Sequence, residues 1–137
     1  VIDPVEAVIS LALLDPGLQA EVVDRIALRW AKEWGIGSKA LTLRWDGGAP
    51  DLYCEVQNPR LEARCYGGSF YEAGQVYRAL LAWSRLVERE LVETSEGQAL
   101  VYSVLMASEP SMFIDPNTAA ETLLVFLEAS VAEPATA

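Results

Sequence analysis

The segment from Asn58 to Val87, NPRLEARCYGGSFYEAGQVYRALLAWSRLV, constrains the fold more than any other part of the chain. It opens with strict alternation. Leu61, Ala63 and Cys65 fall on one side of an extended chain, and Arg60, Glu62, Arg64 and Tyr66 on the other. Gly67-Gly68 breaks the strand. Ser69, followed three positions on by Glu72, has the spacing of a capping box, in which hydroxyl and carboxylate satisfy free helix N–H groups. Ala73, Val76, Tyr77, Leu80, Ser84, Val87 and Leu91 then repeat at helical spacing, so an amphipathic helix is expected to lie back across the sheet to which the strand belongs.

The remaining elements follow from local signals. Asp3-Pro4 and Asp15-Pro16 are helix starts, each an N-cap followed by proline at the first helical position. Val5, Val8, Ile9, Ala12 and Leu13 mark a first helix. Leu18, Val22, Ile26 and Trp30 mark a second, running on to Trp34 and stopped by Gly35 and Gly37. Ala40 to Trp45 reads as a strand, Asp46 to Asp51 as an exposed loop and Leu52 to Val56 as a short strand or lead-in. Glu93 to Gln98 reads as a loop, Leu100 to Ala107 as a strand, and Glu109 to Thr118, with two prolines, as a long loop. Glu121 to Val131 is the last strand and 133–137 a frayed tail.

The expectation is a single α+β domain over residues 1–132, in the order α-α-β-β-α-β-β. A mostly antiparallel sheet of about four strands would carry helices on one face. Apolar residues also fall on the second face of the last two strands, Val101, Leu105, Leu124 and Phe126 according to register. Either subunit contacts or the first two helices would have to cover them.

Composition bounds the chemistry. The chain has no histidine, which removes the commonest general base and metal ligand and rules out a Ser-His-Asp or Cys-His site within it. Twenty acidic residues against ten basic give a net charge of −10, which argues against general affinity for nucleic-acid phosphates. Cys54 and Cys65 are too few for a disulfide framework, and free, half-buried thiols of an intracellular protein are expected, with a single Cys54–Cys65 bridge as the alternative. No apolar run reaches the roughly 18 residues of a membrane span, and no leader is visible.

The carboxylate pairs Glu88 and Glu90, Asp46 and Asp51, and Glu93 and Glu96 read as solvated surface. Gly67-Gly68 lacks the lysine and spacing of a phosphate loop and reads as a turn. Asp115-Pro116-Asn117 lacks the acidic series of a calcium loop. Trp30, Trp34, Trp45 and Trp83 read as core or interface aromatics rather than base-stacking platforms. No catalytic, cofactor or metal site is expected.

The chain resembles the small tail-completion proteins of long-tailed bacteriophages, which are similar in fold to the lambda-type tail terminator. The residues that carry the resemblance are Ile2-Asp3-Pro4-Val5-Glu6-Ala7, Asp24-Arg25-Ile26, and above all Pro59-Arg60-Leu61-Glu62-Ala63-Arg64-Cys65-Tyr66-Gly67-Gly68. Glu72-Ala73, Tyr77-Arg78-Ala79-Leu80 and the closing Asp115-Pro116 and Leu124-Val125-Phe126-Leu127-Glu128 also fit.

The resemblance implies a structural virion protein of the tail or neck, assembled in the host cytoplasm. It would form a homo-oligomeric ring, usually a hexamer, that ends tail-tube polymerisation and joins the tail to the head-tail connector. DNA would pass through its lumen without specific binding. On that reading Arg60, Glu62, Arg64 and Tyr66 are candidate contacts between subunits. Asp46, Asp51, Glu109 and Asp115, in long polar loops, are candidates for docking on tube or connector. A neck adaptor or head-completion protein is the alternative within that class. An acidic regulator that mimics DNA is the alternative outside it, and would need its acidic residues on one face. An enzyme working with carboxylates alone lacks a recognisable constellation.

Overall fold

The computed structural model describes residues 2–48 and 56–134. The described chain forms three helices and eight strands: α1 (Pro4–Leu13), α2 (Pro16–Val22), β1 (Ile26–Ala27), β2 (Ala40–Gly48), β3 (Val56–Gln57), β4 (Pro59–Tyr66), α3 (Phe70–Leu86), β5 (Glu90–Thr94), β6 (Gly97–Met106), β7 (Ser111–Ile114) and β8 (Glu121–Ala132). All eight strands join one mixed sheet in the order β1-β2-β4-β8-β6-β5, with β3 and β7 also paired to β8. The expected four-stranded, α-α-β-β-α-β-β arrangement is therefore wrong.

The extra strands have identifiable causes. The predicted second helix stops at Val22, where Val23 takes a φ of 59°, a conformation a β-branched residue seldom adopts. Arg25 then donates its Nε to the Lys39 carbonyl at 2.7 Å and accepts from the Leu41 amide at 2.9 Å. These bonds draw Ile26 and Ala27 alongside Leu41 and Thr42 as a parallel pair. Ile26 is buried as its helical spacing suggested, but from a strand.

At the other end α3 stops at Leu86 rather than near Leu91, because Val87 is extended and Arg89 has a φ of 50°. Glu90–Thr94 then pairs with β6 through a tight reversal at Thr94–Gly97. The proline-containing loop holds β7, which continues the line of β6 along the same edge of β8. In the same way β3 precedes β4 on the other edge. β4 and β8 are thus the two middle strands, and β8 carries the most partners, with β3 and β4 along one edge and β6 and β7 along the other.

The helix starts follow the sequence signals. Asp3 Oδ1 accepts from the Val5 amide at 2.9 Å, and Asp15 Oδ2 from the Leu18 amide at 2.9 Å. Ser69 Oγ accepts from the Glu72 amide at 3.3 Å, while the Glu72 carboxylate accepts from the Gly68 amide at 2.8 Å. Gly67 is required by space: a Cβ there would stand 2.7 Å from the Ala73 nitrogen in the first turn of α3.

Buried side chains of all three helices meet one face of the sheet. Val5, Val8, Leu18, Val22, Val76, Leu80 and Trp83 pack with Leu41, Leu43, Leu61, Val125, Leu127 and Val131. The first two helices therefore lie on the same side as α3 and, among the described residues, leave the second face without helical cover. One end of that second face holds a small separate cluster of Ala40, Tyr66 and Ala120, against which Trp30 and Trp34 pack. Those tryptophans come from the segment expected to be the end of a helix.

Candidate interface on the open face of the sheet

β4 presents Leu61, Ala63 and Cys65 to the core and turns Arg60, Glu62, Arg64 and Tyr66 to the open face. Strand register places neighbours beside them. Arg64 lies between Thr42 of β2 and Leu124 of β8, Glu62 between Arg44 and Phe126, and Tyr66 between Ala40 and Thr122. The open face is thus a mixture of charged, aromatic and aliphatic side chains in rows across the strands.

Arg64 is the hub. Its Nε donates to Glu62 Oε1 at 2.6 Å and its Nη1 to Asp115 Oδ1 at 2.8 Å, and its guanidinium sits 5.2 Å from the Phe113 ring centre. Arg44 donates to the same Glu62 oxygen at 2.9 Å. Burial alone would raise the Glu62 carboxyl, but the hydrogen bonds and charges of Arg64 and Arg44 outweigh it and hold the pKa below the usual value. Burial works against the Arg64 charge too, and the bond to Glu62 overcomes it, so its pKa is raised. Thr42 and Arg64 beside the Tyr66 hydroxyl favour its ionised form, yet burial, helped by the nearby Asp115 charge, pushes its phenol upward. Arg60 lies 4.6 Å over the Phe126 ring. Its 3.2 Å approach to Asp46 is a charge contact rather than an aligned hydrogen bond, since the Arg60 Nε has no hydrogen-bond partner among the described residues.

The docking candidates separate. Asp46 belongs to β2 and faces Arg60. Glu109 is exposed between β6 and β7. Asp115 is only 1% exposed: Oδ2 accepts from the Thr118 amide at 3.1 Å and from its hydroxyl at 2.9 Å while Oδ1 holds Arg64. It closes a turn and presents no free surface. Asp51 lies outside the described residues, as does Cys54. Cys65 is a free thiol buried in the core, pushed up to about 12 by burial.

Residues that the sequence reading did not single out for a site complete this region. Trp30 stacks edge-on to Trp34 at 5.3 Å and to Tyr66 at 4.9 Å between ring centres. Together with Thr118 and Asp115 they bound a cavity of about 450 Å³, and Arg29, Lys32, Arg44 and Arg64 line it as well. Four of the ten basic residues of an acidic chain therefore converge on one cavity. The signal was present as Arg29-Trp30-Ala31-Lys32-Glu33-Trp34, basic residues interleaved with aromatics, but its reading as a helix hid it.

Among the described residues no group of three or more Asp, Glu or Cys side chains is placed to hold a metal ion, and no helix is long and apolar enough to cross a membrane. Compared with protein-family models the chain matches none, and among curated proteins none matches it at a significant level.

Proposed function

We propose that this chain is a structural subunit of a phage tail. It forms a homo-oligomeric ring, a hexamer, at the head-proximal end of the tail tube, where it ends tube polymerisation and joins the tail to the connector. The observation that carries the assembly part of this reading is the uncovered second face. Its rows combine arginine, glutamate and aromatic side chains with exposed Leu91 and Leu105, 54% and 60% accessible. Arginine and aromatic residues are enriched where proteins meet, and an uncovered sheet face with apolar content calls for a partner. The tail assignment itself rests on the sequence resemblance.

The net charge of −10 suits a lumen through which DNA slides, because an anionic wall repels phosphates. The neck adaptor remains the second reading within the class, and the same surfaces would serve it. An acidic DNA mimic is favoured less, since basic side chains occupy the open face beside the acidic ones.

The test is assembly on tubes. Purified chain added to polymerising tail-tube protein is expected to limit tube length and to appear as a ring at one end in electron micrographs. Tubes of unlimited length with no bound chain would refute the tail reading.

A further inference from the structure

We propose that the cavity lined by Arg29, Lys32 and Arg44 receives the acidic β5 edge of a second copy of this chain, and that this contact is the seam between subunits. The proposal deepens the ring reading above. Its basis is a complementarity carried on opposite ends of one sheet. β1 and β2 end the sheet on one side and β5 ends it on the other.

On the first side Arg29 and Lys32 are exposed, and neither has an ion-pair partner among the described residues. Arg44 is 44% exposed beside them and shares Glu62 with Arg64, so its fork is only partly engaged. Trp30 and Trp34 supply an apolar wall, and Ile36 at the rim is 78% exposed. β1 covers β2 only at Leu41 and Thr42, so the outer backbone edge of β2 is open among the described residues from Leu43 onward.

On the second side Glu88, Glu90 and Glu93 are exposed, and none of their side chains has an ion-pair or hydrogen-bond partner among the described residues. Arg89 is the one basic residue in that run. Leu91, between two of the glutamates, is 54% exposed, and the outer backbone edge of β5 is unpaired among the described residues. An unpaired edge strand invites another chain. The charges select which one: Glu93 beside Leu91 on the open face, with Glu90 on the helix side of the same edge and Glu88 just before it, match the unpaired Arg29 and Lys32 around two tryptophans. Because the two surfaces differ and both belong to every copy, the contact is head-to-tail, and repetition with a closing rotation gives a ring.

The experiment uses the full chain at millimolar concentration, with mass measured by light scattering at low and high salt. Wild type is expected to self-associate at low salt, and less so at high salt, as screening demands. Arg29→Glu with Lys32→Glu, and separately Glu90→Lys with Glu93→Lys, should each weaken association about tenfold or more, since like charges then face each other. An equimolar mixture of the two doubly reversed proteins should recover mixed dimers, which a merely misfolded variant cannot do.

A wild type that stays monomeric, reversals that leave association unchanged, or a mixture that fails to recover it would each overturn the seam. Quenching of tryptophan fluorescence by inorganic phosphate or a single-stranded oligonucleotide, with no effect of either reversal on mass, would overturn it in favour of a small or nucleic-acid anion. Tube capping scored on the same proteins separates the two proposals. Mixtures that rescue association while wild type never caps tubes break the tail reading and leave the seam standing. Capping that survives both reversals breaks the seam and leaves the tail reading standing.

Discussion

Along β4, Leu61, Ala63 and Cys65 are fully buried against helices, while one residue away Arg60, Glu62 and Arg64 stand partly exposed under no helix at all. The two faces of this sheet solve different problems. The covered face is held by apolar area removed from water, a term that depends on volume and tolerates little loss. The open face is held by a charge network in which Glu62 and Asp115 both satisfy Arg64. Such a network contributes less to stability, because its members lose hydration as they gain partners. It does fix the positions of side chains that face outward. The difference teaches that stability and recognition are divided between the faces.

The comparison can be broken most readily from the covered side. Leu127 is fully buried on β8. Leu127→Ala should cost about 3 kcal/mol in urea unfolding, the transfer and cavity cost of a large core residue. A loss under about 1 kcal/mol would show that the helix-covered face is not the main source of stability.

An intermediate effect is expected where the open face is most buried. Asp115→Asn removes the charge opposite Arg64 and should cost about 2 kcal/mol by the same measurement, as expected for breaking a charged hydrogen bond. If Asp115→Asn proved as costly as Leu127→Ala, the division between the faces would have to be abandoned.

The smallest effect concerns acid. The Glu62 pKa in the folded chain lies below its ordinary 4.5, so its contribution to stability is complete above that value and is lost as pH falls through the lower folded value. Glu62→Gln should therefore lower stability by about 1 kcal/mol near neutral pH and make no difference at the acid end. Parallel stability curves for Glu62→Gln and wild type across that range would contradict the role given to the carboxylate.

Local chemistry made several parts of the fold legible. The Asp-Pro pairs placed both helix starts because capping depends on neighbours two or three residues away. The alternation in Pro59–Tyr66 assigned each side chain to a face because a strand has a period of two. Failures came where distant partners decided the outcome. The spacing of Leu18, Val22, Ile26 and Trp30 is helical on paper. Hydrogen bonds from the Arg25 side chain to the Lys39 carbonyl and from the Leu41 amide to the Arg25 carbonyl, far along the chain, turned Ile26 into a strand and carried Trp30 to the other face. Glu90–Thr94 is too short and too polar to announce itself as a strand, and only β6 beside it makes it one.

The same division holds for the candidate site. Arg60, Glu62, Arg64 and Tyr66 share an outward face by the alternation of their own strand, and the sequence alone determined that much. It also determined the net charge and the absence of histidine. Tertiary structure decided that Arg64 is committed within the chain to Glu62 and to Asp115, fifty-one positions on, rather than left free for a neighbour. It likewise brought Arg29, Lys32 and two tryptophans over the end of β4. Periodicity and capping act over a few residues and are written in the sequence. Which strand flanks which, and which charge finds which partner, follows from the closing of a sheet whose most widely paired strand is the last one made.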